Sequence, residues 1–470
     1  MTFPKPFAHQ TFSIKHNDKS ELVFDTSDPG TGKTFVRIAG FAKRRAKGSG
    51  CLLVLAPRSL LRSVWVNDCK KFAPSLTVSV ADAANRVAAF EAKADVYVTN
   101  VDAVKWLAQQ KPAFFKRFSE LVIDESTSYK HHTSMRSKAA LKIAKHFKHR
   151  CCMTGTPNGN SITDIWHQVM LLDGGQRLGN SFFKFRDAVQ TPTQVGRSEH
   201  AIKWHDKEGA EEAVFGLLSD IVVRHKFSDC VDIPANHRYA IDYELTPRQL
   251  RTYLELEATQ MLALGSGKNS VITAINAAAV RTKLLQIASG AVYDGAGGCV
   301  VVDTARYELV LDLVMQRKHS LVFFLWKHQR DELIKEAEKR GINFCVLDGS
   351  TSDRDRDEMV KGYQAGVYQA MFAHPKSAAH GLTLTKGTAT IWSSPTDDLE
   401  IFEQGSKRQH RMGQKEKTET IVVIAKDTFD EKVWDNMLSK GKRMTNMLDL
   451  FGTMTVVKKP VIKKKEMEMA

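Results

Sequence analysis

Residues 27–34 read SDPGTGKT, and no other stretch limits so tightly what this chain can fold into. An apolar run, LVFDT at 22–26, precedes them, and a helix-like segment at 33–47 follows. A loop that wraps a phosphate needs glycine where its backbone N–H groups curl inward, because a Cβ there would fill the cradle. Gly30 and Gly32 meet that need, with Thr31 between them. Lys33 brings a point charge, Thr34 a hydroxyl suited to magnesium, and the helix N-terminus its dipole. The strict pattern asks for glycine at the first position, where this chain has Ser27. GSGKNS at 265–270 makes the contrast: no strand precedes it and no hydroxyl follows its lysine, so it reads as a loop.

The surrounding pattern predicts an α/β fold. CLLVLAP (51–57), VYVTN (96–100), LVIDE (121–125) and CCMTG (151–155) read as further strands, with helix-like segments such as 136–147 between them. Strands spaced by helices imply parallel sheets flanked by helices, with ligands beyond the carboxyl ends of the strands. A second alternating region holds strands at 321–326, 343–348, 368–374, 389–394 and 420–425, with helices at 328–340 and 352–364. The chain therefore divides into a first lobe at 1–235 with a helical insertion about 160–220, and a second at 236–445 with a helical protrusion about 246–290. A basic, flexible tail at 446–470, containing KKPVIKKK, completes it.

LVIDES at 121–126 buries a strand and ends on two carboxylates. Asp124 suits magnesium, and Glu125 suits orienting and polarising an attacking water; a nucleotide hydrolase needs both beside its phosphate loop. Near the far end, EQGSKRQHRMGQ (403–414) sets Arg408 and Arg411 three apart, the spacing of one helical face. Arginines so placed can stabilise charge developing on a transferred phosphoryl group.

The chain carries 68 Lys and Arg against 53 Asp and Glu, a net charge of +15, and that excess favours a polyanionic partner. Its seven cysteines are scattered, with no CxxC and no zinc spacing, as befits free thiols in a reducing compartment. The N-terminus lacks the apolar core of a signal peptide. The longest apolar runs have strand length, short of the ~20 residues a membrane span needs. These features point to a cytoplasmic protein with no membrane partner.

In order along the chain, the motifs resemble those of the Swi/Snf family of helicase superfamily two. Gln10 in PFAHQ is similar to the family's adenine-reading glutamine. VLAPRSLLRSVW (54–65), VYVTN, DESTSYK (124–130), MTGTPNGN (153–160) and VVRHKFSD (222–229) resemble successive first-lobe blocks. LVFFLWKHQ (321–329), LDGSTSDRDR (347–356), HPKSAAHGLTLT (374–385) and QGSKRQHRMGQ resemble second-lobe blocks. Two departures stand out. Ser126–Thr127 replace the usual Ala–His after the acidic pair, and Ala379–His380 replace a Gly–Gly pair.

The resemblance implies two RecA-like P-loop lobes and an ATPase of compact bacterial or phage type, with ATP and Mg2+ as cofactors. It implies translocation on, or remodelling of, double-stranded DNA or protein–DNA complexes. Forked or single-stranded DNA stays open as an alternative substrate for a strand-separating or branch-remodelling helicase. A binding scaffold without hydrolysis is the reading that intact Lys33, Asp124, Glu125, Arg408 and Arg411 disfavour. Ser59, Thr99, Thr156, Ser350 and Thr385, at strand ends, are the candidate phosphate-backbone contacts. No histone-reading module is recognisable, and the recruiting protein is not legible.

Overall fold

Runs such as Leu52–Ala56 and Leu321–Phe323 are apolar at every position, which suits strands covered on both faces and therefore parallel sheets. The computed structural model describes residues 5–195, 202–265, 270–293, 298–378 and 381–453. They form two compact units. The first takes the described residues up to Val189, Lys207–Asp232 and those from Met444; the second takes 190–206 and Ile233–Arg443.

The first unit contains β1 (Leu22–Asp25), β2 (Cys51–Ala56), β3 (Val78–Ala81), β4 (Val96–Asn100), β5 (Phe118–Asp124) and β6 (His149–Met153). An antiparallel hairpin of β7 (Gln190–Gln194) and β8 (Ile202–Asp206) follows, grouped with the second unit. The short β9 (Val222–Val223) then completes a seven-stranded sheet in the order β3-β4-β2-β5-β6-β1-β9. Every pairing in it is parallel. Leu52, Val54, Val96, Val98 and Val122 meet Ile38 and Phe41 of the helix Lys33–Ala46, and Trp65, in one core.

The second unit pairs β10 (Asn236–Tyr243) with a strand far along the chain, and carries the small hairpin β11 (Ala291–Tyr293) and β12 (Cys299–Val301). Its main strands are β13 (Ser320–Phe323), β14 (Phe344–Leu347), β15 (Ala370–Ala373), β16 (Ala389–Trp392) and β17 (Thr418–Ala425). The six-stranded sheet runs β10-β17-β16-β13-β15-β14, again parallel throughout. Val322, Phe372, Ile391 and Ile421 pack against Val310, Val314 and Leu333. Between 246 and 290 the chain forms the helices Pro247–Gly265 and Ser270–Ala288.

Two parallel sheets flanked by helices are the RecA-like arrangement expected. Two details differ. The 160–220 region is helical at Asp164–Asp173, Phe182–Val189 and Ala210–Leu218, yet it also holds the β7–β8 hairpin. That strand QTPTQ is exposed at all but its first residue, so no apolar period announces it. Residues 446–453, expected in the flexible tail, instead end the helix Phe429–Thr453. There Phe451 is buried beside Phe215 and Asp449 pairs with Lys226 at 2.8 Å. The 458–465 basic string and residues 266–269 of the GSGKNS loop lie outside the described residues. Among the described residues, no helix is long and apolar enough to cross a membrane.

Candidate active site

β5, β6 and β1 are neighbours in the first sheet, so their carboxyl ends deliver Asp124, Thr154 and the 27–34 loop side by side. Thr154 N–H donates to the Asp25 carbonyl at 3.0 Å, tying the second of these ends to the third. Gly30 and Gly32 take φ of +92° and +85°, a region that L side chains avoid. The loop is also walled. A Cβ on Gly30 would meet the Phe227 ring at 2.9 Å, and one on Gly32 the Gln10 amide nitrogen at 2.4 Å. From the β6 side, a Cβ on Gly155 would meet Pro29 at 2.8 Å. Lys33 and Thr34 open the helix Lys33–Ala46. The Lys33 ammonium donates to the carbonyls of Ser27 at 2.5 Å and Asp28 at 3.3 Å, folding over its own loop.

Three carboxylates surround this loop with different surroundings. Asp124 is 7% exposed, and its Oδ2 accepts a 2.9 Å hydrogen bond from the Trp65 indole N–H. Burial pushes its carboxyl above the usual range, against the pull of that hydrogen bond and of Lys33. Asp25 goes the other way. Burial works to raise it, but Arg37 first, then Lys33 and the Ser27 hydrogen bonds, hold it below the usual range. Its Oδ1 accepts from Ser27 N–H at 3.1 Å and its Oδ2 from Arg37 at 3.4 Å, so Asp25 braces the start of the loop. Glu125 sits at φ 54°, ψ 62°, a left-handed backbone uncommon outside glycine. A residue held there costs on the order of 1–3 kcal/mol, a strain that clusters at functional sites.

Gln10 lies against the loop through its own helix, Ala8–Lys19. Its Oε1 accepts from Phe7 N–H at 3.1 Å and its Nε2 donates to the Thr31 carbonyl at 3.3 Å. His9 Nε2 is 2.8 Å from the same carbonyl.

Sequence reasoning missed the opposite wall. Arg224 donates to the Thr26 carbonyl at 2.6 Å and pairs with Asp28 at 2.9 Å. His225 joins Ser13 Oγ at 2.7 Å, while its N–H donates to Ser27 Oγ at 3.1 Å. Both lie in the VVRHKFSD block, whose resemblance to a first-lobe block pointed to the segment but not to these two side chains, and whose apolar pair becomes β9. Gln168 was equally invisible. Its Oε1 accepts from Ser126 Oγ at 2.7 Å, and its Nε2 donates to Pro157 O at 2.8 Å. The serine that replaces alanine after the acidic pair thus reaches the 153–160 block.

Arg408 and Arg411 belong to the second unit, and the helical face expected for them does not exist there. The helix Leu399–Ser406 stops before both, and 407–413 is turn and bend. Gln414 explains the stop: its Nε2 donates to the carbonyls of Thr385, Gly387 and Gln409 at 3.0–3.2 Å, drawing the chain onto the 382–387 loop. The two arginines converge all the same. Arg408 Nη1 and Arg411 Nη1 donate to one carbonyl, Leu382 O, at 3.3 and 2.6 Å.

The candidate backbone contacts divide. Thr99 is fully buried and donates to Ala81 O at 2.6 Å, so it ties β4 to β3 and offers no surface to a phosphate. Thr156 is 3% exposed, and its hydroxyl is likewise shut away from solvent. Thr99 is hidden inside a sheet covered on both faces and Thr156 in the packed loop after β6, so neither hydroxyl faces solvent, which corrects both expectations. Ser59 and Thr385 are half-buried, and Ser350 is exposed with its hydroxyl on Asp348 at 2.6 Å. Ala379–His380 lie outside the described residues.

Known proteins resemble this chain along most of its length. The profile of the SNF2-related domain matches residues 13–288, and that of the helicase conserved C-terminal domain matches 305–413. The putative protein p41 of Acyrthosiphon pisum secondary endosymbiont phage 1 is 29% identical over 465 residues, covering 93% of this chain and 96% of that protein. An uncharacterized ATP-dependent helicase of Mycoplasma pneumoniae is 23% identical over 410 residues, covering 84% of this chain but only 37% of that protein. The Sulfolobus solfataricus SWI2/SNF2 ATPase core, solved in complex with dsDNA, aligns over 97% of both chains at 19% identity and a TM-score of 0.43.

Proposed function

Since the chain belongs to the SNF2-related family of helicase-like ATPases, we propose that it spends ATP hydrolysis on translocating along, or remodelling, double-stranded DNA and protein–DNA complexes. One observation carries the reading: the phosphate loop, the Asp124–Glu125 pair and the 153–160 block sit on three adjacent strand ends, tied by backbone and side-chain hydrogen bonds. A site in which the hydrolytic groups share a frame with a second loop, the 153–160 block, suits a motor better than a simple switch.

The residues fit magnesium–ATP. The two left-handed glycines leave a cradle that a Cβ would fill, and Lys33 rests on two carbonyls that phosphate oxygens can replace. Thr34 and Asp124 would hold Mg2+, which when bound neutralises charge on the phosphate oxygens. Lys33 then binds the phosphates, while Gln10 orients the base. Glu125, held at a left-handed backbone at the end of β5, orients the attacking water and accepts its proton. Arg408 and Arg411 stabilise charge on the transferring phosphoryl group. The +15 net charge supports a DNA partner bound chiefly through phosphates, and seven scattered cysteines, none of them in a disulfide, support a cytoplasmic setting.

The test is mechanical. A labelled third strand on a DNA triplex should be displaced in an ATP-dependent way, while a forked duplex stays paired. Fork unwinding without triplex displacement would replace translocation with strand separation.

A further inference from the structure

The chain after β2 behaves unusually. Residues Leu61–Val66 form a π-helical turn, a rare element found mostly at functional sites. In an α-helix, residues four apart drift by about 40° at each step. The wider turn undershoots where the following α-helix overshoots, so the two offset each other across Leu61, Trp65 and Cys69, all three of which are buried. Its other face carries Arg58, Arg62 and Ser63, all exposed, with half-buried Ser59 beside them. The segment therefore has a cationic, hydroxyl-bearing outer side and an inner side led by Trp65.

Trp65 is fully buried among Val54, Val98 and Val122. A buried indole N–H needs an acceptor, and a main-chain carbonyl would serve. Here the acceptor is the Asp124 carboxylate, at 2.9 Å. We propose that Trp65 is a positioning residue: it orients the carboxylate that holds magnesium and links it to the solvent-facing 58–63 segment, so that duplex DNA on that segment tunes metal binding and hydrolysis. Any tilt of the π-turn moves the indole, and the indole moves Oδ2 of Asp124. This rests on the DNA-dependent reading above for its second half only.

The experiment uses the full chain with Trp65→Phe, which keeps a ring and removes the donor. Binding of a fluorescent ADP analogue is titrated with Mg2+ and repeated in chelator; ATP hydrolysis is measured with and without plain duplex. The half-saturating Mg2+ concentration should rise about tenfold, as suits one lost hydrogen bond to a charged group. Affinity in chelator should change less than twofold, and the stimulation ratio should fall severalfold. Trp65→His, which restores a ring N–H, should recover most of the Mg2+ response. An unchanged Mg2+ dependence, or equal losses with and without the metal, would make Trp65 a core filler and overturn the proposal. A wild-type chain that no duplex stimulates would sink the DNA reading, while the Mg2+ titration still decides the role of Trp65. As a check free of substitutions, the Trp65 indole resonance of the wild-type protein should shift when Mg2+ is added to the ADP complex. A resonance that stays put contradicts the link.

Discussion

The phosphate loop of the first unit and the arginine segment of the second reach their shapes by different means. The loop is built by backbone: two glycines at positive φ, strand ends in register, and a helix that starts at Lys33. The arginine segment is built by side chains. Gln414 gathers three carbonyls, Gln409 bonds Tyr363 and Thr390, and only then do Arg408 and Arg411 meet over Leu382. Backbone geometry writes itself into residue type, whereas a side-chain network leaves no spacing to read.

The largest effects should come from the charges themselves. Lys33→Ala should abolish measurable hydrolysis and weaken nucleotide binding, read by steady-state turnover and equilibrium binding. Arg411→Ala should keep nucleotide affinity within a few fold while turnover falls by roughly 10³. Equal losses of binding and turnover would make Arg411 structural.

Next come the supports. Gly32→Ala places a strained residue at φ +85° and drives its Cβ into Gln10, so nucleotide affinity should fall about tenfold, for a strain of about 1–2 kcal/mol. Gln414→Ala should lower turnover by a similar factor and leave nucleotide affinity alone, because it loosens only the arginine turn. A Gln414→Ala enzyme with normal turnover would break the contrast between the two regions.

A slower, pH-dependent effect separates folding from chemistry. Burial lowers His167, His225 and His328 to about 4, from an unfolded value near 6.5. A depressed folded pKa means the unfolded chain binds protons first. The stability these residues contribute is whole above about pH 6.5 and is lost as pH falls towards 4. Thermal midpoints should drop across that window. In His328→Gln, which sits in the second unit beside Ser289, the drop should be shallower. An unchanged slope would mean that His328 takes up protons equally in the folded and unfolded chain, so that burial does not depress it.

What could be read beforehand follows the same division. β1, β2, β4, β5 and β6 were legible because apolar runs of strand length lie between helix-like segments. Gly30, Lys33 and Asp124 were legible because phosphate and metal chemistry dictates their residue types. β10 was not, since its partner β17 lies some 180 residues away and its exposed residues blur the pattern. Nor were Arg224, His225, Trp65 and Gln168, whose partners are distant in sequence. Trp65 closes the 54–65 block, but nothing in that block names Asp124 as its partner. Thr99 misled because a hydroxyl at a strand end looks alike in sequence whether it faces solvent or a neighbouring strand.

The most direct test is ATP turnover at one fixed salt concentration without nucleic acid, then with single-stranded DNA, plain duplex, forked DNA and RNA. The account predicts the strongest stimulation from plain duplex, and none of it in Lys33→Ala. Turnover that ignores every nucleic acid would contradict the DNA-dependent motor.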